Sequence, residues 1–290
     1  MTFYYGAHLS IKKGIIKTID QAINLNCNLL QIFLSNPMST KQKLNYTDDE
    51  CLRIKDKLNF SNTKLVIHLP YVINLSKPTT NLENAWWIKM ICEQLIISDK
   101  MNSIGCVVHV GKYLDQTISE GLDNMYNALV FIIDFIIDNN LSTYIILETA
   151  AGQGTELIST KNNSLEDFAN FYNKFTDEQK NHIKICVDTC HIFAAGFDIT
   201  NKNKVKTFFD QFERLIQIKN LALIHLNDSK KDCGSCVDRH ENLCIGKIGK
   251  EGIKNFIKYG VYYKIPIILE TPEILESDIN LIKEIERKYI

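Results

Sequence analysis

The sequence predicts a (β/α)₈ barrel of the TIM type, on three observations: short apolar runs alternate with longer stretches of helical period, the runs number eight, and each stays apolar until its last residues. The runs lie at Tyr4–His8, Leu29–Leu34, Lys64–Leu69, Gly105–Val110, Tyr144–Glu148, Ile183–Asp188, Leu221–Asn227 and Ile265–Glu270. Such near-continuous apolar character marks strands covered on both faces. Amphipathic stretches at Ile15–Leu25, Asp48–Leu58, Asn81–Ser98, Ser119–Ile137, Ser164–Phe175, Lys202–Ile216 and Lys250–Tyr259 supply the crossover helices. No Gly-x-Gly-x-x-Gly follows a strand, which counts against an open dinucleotide-binding sheet. An active site is therefore expected at the carboxyl ends of the strands.

The chain has 290 residues, 45% of them hydrophobic and 23% charged, enough for a large core. Five prolines and no Gly/Ser/Pro-rich linker give no place to divide it, so a single domain over 1–290 is expected. The N-terminus lacks a basic segment followed by an apolar one, and no apolar run approaches the ~18 residues of a membrane span. The expectation is a soluble monomer without membrane contact, inside a cell: cytoplasm, or the nucleus or virion of an AT-rich organism or virus. Nine scattered cysteines suit a reducing compartment, although Cys233 and Cys236 could bridge under oxidation. A formal net charge of −1 gives no bulk attraction for a polyanion, so a nucleic acid would need local patches and bound cations.

What ends each run carries the chemistry. The third ends in His68, the fourth in His109, the fifth in Glu148, the sixth in Asp188, the seventh in His225 and the eighth in Glu270. Any one of these more often caps a turn than binds a ligand. Six in succession, however, would bury charge that nothing compensates unless cations sit among them. His191 lies one turn beyond Asp188, and Asp238 and His240 lie on the loop after the seventh strand. Five histidines and four carboxylates suit Zn²⁺, with Mn²⁺ as a partial alternative, rather than the all-oxygen shell of Ca²⁺ or Mg²⁺. With one of the nine bridging, they could serve about three ions and leave positions for water and substrate.

The densest segments are Gly6-Ala7-His8-Leu9-Ser10, His68-Leu69-Pro70-Tyr71, Leu147-Glu148-Thr149-Ala150-Ala151-Gly152-Gln153-Gly154, Cys186-Val187-Asp188-Thr189-Cys190-His191, His225-Leu226-Asn227-Asp228-Ser229, Val237-Asp238-Arg239-His240 and Leu269-Glu270-Thr271. Nearly end to end, the chain resembles the endonuclease IV family of zinc-dependent apurinic/apyrimidinic endonucleases. The resemblance implies that His68, His109 and Glu148 hold a first zinc. Glu148 would bridge to a second, completed by Asp188, His225 and Glu270, while His191, Asp238 and His240 hold a third. It implies a double-stranded DNA partner containing abasic sites and hydrolysis 5′ to the lesion by a three-metal mechanism with Glu148 as the central catalytic carboxylate. The products implied are a 3′-hydroxyl and a 5′-deoxyribose phosphate, and a 3′-phosphodiesterase or 3′–5′ exonuclease side activity stays open. Two departures stand out: Met38 occupies the place of the arginine the family inserts into DNA, and Val110-Gly111-Lys112-Tyr113 replaces the usual Pro-Gly-Ser-His after His109.

The DNA-contact expectations are Tyr71 as the residue filling the vacated stack, Met38 as an apolar wedge, and Asn36, Lys112, Lys230, Lys231 and Arg239 near phosphates, with Lys247 and Lys250 further out. For Tyr71 the plain alternative is a rim aromatic, and for each lysine a solvated surface. His8 reads as a substrate-pocket or supporting residue and His182 as a surface side chain. Two rivals remain. A sugar isomerase or epimerase uses a similar barrel with one or two ions and has no need of His191, Asp238 and His240. A lesion-binding module without catalysis would have lost ligands. Cys233-x-x-Cys236 with Cys244 resembles half a zinc ribbon without its second pair.

Overall fold

The structure is a computed structural model that describes residues 2–41 and 44–289; Met1, Gln42, Lys43 and Ile290 lie outside the described residues. Its parallel strands are β1 (Tyr5–His8), β2 (Leu29–Phe33), β3 (Lys64–His68), β4 (Gly105–His109), β5 (Tyr144–Glu148), β6 (Ile183–Asp188), β7 (Leu221–Leu226) and β10 (Ile267–Leu269). They close a barrel in the order β1-β10-β7-β6-β5-β4-β3-β2. The predicted fold class is correct, and every strand falls within about two residues of its predicted bounds.

The helices are α1 (Ile15–Asn24), α2 (Asp48–Phe60), α3 (Trp86–Lys100), α4 (Ile118–Asp138), α5 (Glu166–Tyr172), α6 (Thr189–Ala195), α7 (Lys202–Leu215), α8 (Gly249–Tyr263) and α9 (Glu276–Tyr289). The helix predicted from Asn81 starts at Trp86 instead. Thr79, Asn81 and Asn84 hold that stretch in turns, Thr79 Oγ1 accepting from Asn81 N and Asn81 Oδ1 from Asn84 N. A short antiparallel pair, β8 (Asp228–Ser229) with β9 (His240–Glu241), was not expected; its register sets Ser229 against His240. No described helix is long and apolar enough to cross a membrane.

Contacts group the chain into two compact units, residues 8–148 with 176–184, and residues 2–7, 149–175 and 185–289. In the first, β2, β3, β4 and β5 pair in register, Phe33 beside His68 and His109 beside Glu148. Leu65, Val66, Ile67, Cys106, Val107, Ile145, Ile146 and Leu147 are fully buried, so each strand is anchored by apolar side chains up to its final residue. Gly111 lets the loop after β4 press on the preceding loop, since a Cβ there would stand 1.8 Å from Ser76 Oγ.

In the second unit β6 and β7 pair with Asp188 beside His225, and β10 aligns Ile268 with His225. Phe208, Phe209, Phe212 and Phe256 form an aromatic core beneath α7 and α8. Asp228, fully buried, accepts N–H bonds from Ser229, Gly246, Ile248 and Gly249, and thereby ties the base of the β8–β9 pair to the start of α8.

Thr117 caps α4 by a capping box, its hydroxyl accepting from Glu120 N while the Glu120 carboxylate accepts from Thr117 N. Thr117→Ala is expected to lower stability by about 1 kcal/mol without changing the fold. A urea midpoint unchanged from wild type would show that the cap contributes nothing.

Candidate metal centre

The first unit brings three predicted ligands together. His68 and Glu148 are buried at the ends of β3 and β5, and His109 at the end of β4 is about one-third exposed. Glu148 Oε2 lies 3.5 Å from His68 Nε2 and 3.2 Å from His109 Nε2. His68 Nδ1 lies 2.7 Å from the Leu69 carbonyl oxygen. Tyr71 stands on this pair, its ring centroid 5.4 Å from each of the His68 and His109 rings and 5.2 Å from Phe33. The backbone behind His109 is held by Asn74, which donates from Nδ2 to Lys112 O at 2.9 Å and accepts from Lys112 N at 2.8 Å.

The second unit gathers the other six. Asp188 caps α6, its Oδ1 accepting from His191 N at 2.9 Å. His191 Nε2 and His240 Nε2 approach the two oxygens of Asp238 at 3.2 and 3.1 Å. His225 Nδ1 lies 3.2 Å from Glu270 Oε2, and Asp188, His225 and Glu270 offer ligand atoms within 4.8 Å of one another. His191 Nδ1 is 2.8 Å from Thr149 O and His240 Nδ1 is 3.0 Å from Glu270 O. All nine residues read from the strand ends and loops therefore fall into such groups.

Whether these groups fit a cation turns on where the protons are. A backbone carbonyl can only accept, so His68, His191 and His240 each carry a proton on Nδ1. In the neutral ring Nε2 is then a lone pair, and it faces a carboxylate: acceptor against acceptor. Either a second proton or a metal ion must lie between them. His240 Nε2 is buried and makes no well-aligned hydrogen bond, although Asp238 Oδ1 is close by. Tetrahedral ligand atoms about 2.0–2.1 Å from Zn²⁺ stand roughly 3.3 Å apart, close to the nitrogen–oxygen separations within these groups. The donor set fits zinc. Burial, with Asp188 beside it, pushes the Cys190 thiol up to about 12 in the metal-free protein.

The chain matches the family model described as a xylose isomerase-like TIM barrel over residues 19–285. It is 34% identical to an endonuclease 4 of Acanthamoeba polyphaga mimivirus, over 94% of this chain and 86% of that one. An endonuclease 4 of Thermosipho melanesiensis is 33% identical over 97% and 96%. The chain belongs to the endonuclease IV family. Among solved structures, endonuclease IV from Thermus thermophilus superposes with a TM-score of 0.76 at 26% identity, over 99% of this chain and 98% of that one.

This endonuclease IV family member places most of the remaining predicted site residues on exposed loops, with His8 at the end of β1 and Lys250 in the first turn of α8. Met38 is 70% exposed, and Asn36 beside it accepts from Met38 N through Oδ1. Lys112, Lys230, Lys231 and Arg239 are exposed; Lys230 Nζ is 4.0 Å from Glu241 Oε2, and Arg239 Nη1 donates to Asp238 O. Lys247 and Lys250 are exposed as well, with Lys247 paired to Asp232 at 3.5 Å. His8 lines a cavity of about 740 Å³ with Ser10, Lys12, Phe33 and Asn36, and bonds the buried Gln31 at 3.0 Å. All nine cysteines are free thiols, Cys233, Cys236 and Cys244 among them. Sequence reasoning passed over Thr149 and Asn227. Thr149 Oγ1 accepts from Asp188 N at 3.1 Å, and Asn227 Nδ2 donates to Asp188 Oδ2 at 2.7 Å. Their signal was only that they adjoin or closely follow ligands.

Burial pushes the His240 imidazole down, but Asp188 and Asp238 outweigh it and raise it from 6.5 to about 9. Asp238 is held well below the usual carboxylate range, His191 and His240 prevailing over burial. In metal-free protein the stabilisation from the raised His240 is complete below about 6.5 and is lost as pH rises through about 9. A bound cation needs the neutral ring, so zinc-loaded protein lacks this loss. The melting temperatures of the two forms should therefore diverge as pH rises from 6.5 to 9. Parallel curves in calorimetry would refute the assignment.

Proposed function

We propose that this protein is a zinc-dependent DNA-repair endonuclease that hydrolyses the phosphodiester 5′ to abasic sites in duplex DNA, leaving a 3′-hydroxyl and a 5′-deoxyribose phosphate. The observation that carries it is the set of carbonyl-locked imidazoles facing carboxylates, in a member of the endonuclease IV family. In this reading His68, His109 and Glu148 would hold one ion, Asp188, His225 and Glu270 a second, and His191, Asp238 and His240 a third. Bound zinc supplies Lewis acidity toward phosphate oxygens and lowers the pKa of water to about 7.

The chain's own residues then bind and orient. Thr149, which follows Glu148 in the chain, accepts from Asp188 N through its hydroxyl and from the His191 ring through its carbonyl, and so ties these two residues together. No side chain need attack phosphorus, and no Ser–His–Asp arrangement is required. Tyr71, half exposed and seated on the His68 and His109 rings, is positioned to fill the gap left by a missing base. Lys112, Lys230, Lys231, Arg239 and Asn36 meet phosphates, and Met38 wedges as an apolar side chain without bringing a cation. The protein works as a monomer and a single domain. The third group, His191, Asp238 and His240, has no use in a one- or two-metal sugar isomerase and favours the nuclease.

Metal-analysed protein should contain three zinc ions per chain and cut a duplex carrying one synthetic abasic site, and chelation should stop the reaction until zinc is restored. Glu148→Gln should cut at least about 10²-fold more slowly while melting as a folded protein; turnover at the wild-type rate removes the mechanism. Tyr71→Ala should weaken abasic-duplex binding by about 1–3 kcal/mol with zinc content unchanged, and equal affinity for both forms would return Tyr71 to a packing role.

A further inference from the structure

The ends of β6, β7 and β10 meet at one fully buried side chain that is neither a ligand nor an apolar residue. Asn227 donates from Nδ2 to Asp188 Oδ2 at 2.7 Å and accepts at Oδ1 from Glu270 N at 3.1 Å. Its own backbone is clamped by Thr189, whose hydroxyl accepts from Asn227 N at 2.8 Å and donates to Asn227 O at 2.6 Å. The amide plane thus has one edge on a ligand carboxylate and the other on the main chain of a second ligand.

We propose that Asn227 is the positioning residue of the Asp188–His225–Glu270 group, fixing the Asp188 carboxylate and the Glu270 main chain in one geometry without contributing charge. The two oxygens of Asp188 each accept one N–H, Oδ1 from His191 N and Oδ2 from Asn227. A carboxylate oxygen has room for about two partners, so each keeps a lone pair for a cation while rotation of the group is blocked. A neutral donor is what this place requires. A lysine or arginine here would neutralise Asp188 and compete with the ion, and an aspartate would set a second acceptor against Oδ2. Leucine would leave both Asp188 Oδ2 and Glu270 N buried and unmatched.

This inference rests on the metal reading of the centre and not on the DNA substrate. Its test measures metal directly, in full-length protein. Zinc content after dialysis against a graded chelator, and the visible absorption of Co²⁺-substituted protein, are compared for wild type, Asn227→Ala and Asn227→Asp. Wild type should hold three ions; Asn227→Ala should lose one of them at a chelator strength about 10–100-fold lower and show an altered Co²⁺ spectrum, while the other two stay. A merely structural role would lower the melting temperature of the metal-free form and leave the spectrum unchanged. Should Asn227→Ala fail to fold, Asn227→Asp carries the test, since it is isosteric and still accepts from Glu270 N; its loss should match or exceed that of alanine. Wild-type retention and spectrum in the folded variants overturn the proposal. Wild type that binds no ion at all overturns the metal reading beneath it.

Discussion

Everything chemical in this protein depends on one constraint: several imidazoles are pinned by a backbone carbonyl at one nitrogen and turned toward a carboxylate at the other. His68 on Leu69 O, His191 on Thr149 O and His240 on Glu270 O all repeat it. A hydrogen bond needs a donor, and a neutral ring so pinned has none left for the carboxylate. The site must therefore take up protons or cations. Which it takes is set by pH and by metal supply, and this is why the raised His240 and the depressed Asp238 belong to the same arrangement as the candidate ligands.

The fold makes the arrangement rigid by an abrupt change of chemistry along each strand. Val187 and Asp188 are both fully buried, as are Ile224 and His225, yet the first of each pair is an apolar anchor and the second a candidate ligand. The anchor costs nothing in unmet polarity, and the ligand takes its support from the loop that follows. Thr149, Thr189 and Asn227 supply that support with hydroxyl, amide and main-chain bonds. The β8–β9 pair brings Asp238 and His240 from a loop that would otherwise be free, and Asp228 secures its base through four main-chain N–H groups. Buried as it is, Asp228 is pushed above the usual carboxylate value by burial, with those N–H bonds opposing.

Much of this was legible in the sequence, because a strand buried on both faces announces itself by composition and a polar residue at its last position stands out against it. His68, His109, Glu148, Asp188, His225 and Glu270 were visible for that reason. Loop ligands were harder. Asp238 and His240 have no apolar run beside them and entered only through their residue types on the loop after the seventh strand, with the family resemblance then naming them as ligands. The β8–β9 pair spans two residues a side, too short for any period to register, and α6 was hidden because all seven of its residues are buried. Asn227 and Thr149 could not be singled out by pattern at all: an asparagine or threonine next to a ligand looks like turn chemistry until its partners are known.

The choice of partners around the candidate ligands supports the metal reading proposed above. Among the described residues neither Asp188 nor Asp238 pairs with a lysine or arginine, although Lys230, Lys247 and Arg239 are nearby on the same loop region; Lys230 and Lys247 face Glu241 and Asp232 instead, and Arg239 donates to a carbonyl. A site built to be stable without metal would have used those fixed cations to match its carboxylates. Leaving that role to imidazoles, whose charge can be surrendered, keeps the negative charge available to an ion. The same economy bears on substrate. With a net charge of −1 the chain has little field of its own for an anionic phosphodiester, so in the proposed function the ions that activate water also provide the local attraction for the DNA backbone, and binding and hydrolysis share one dependence on metal.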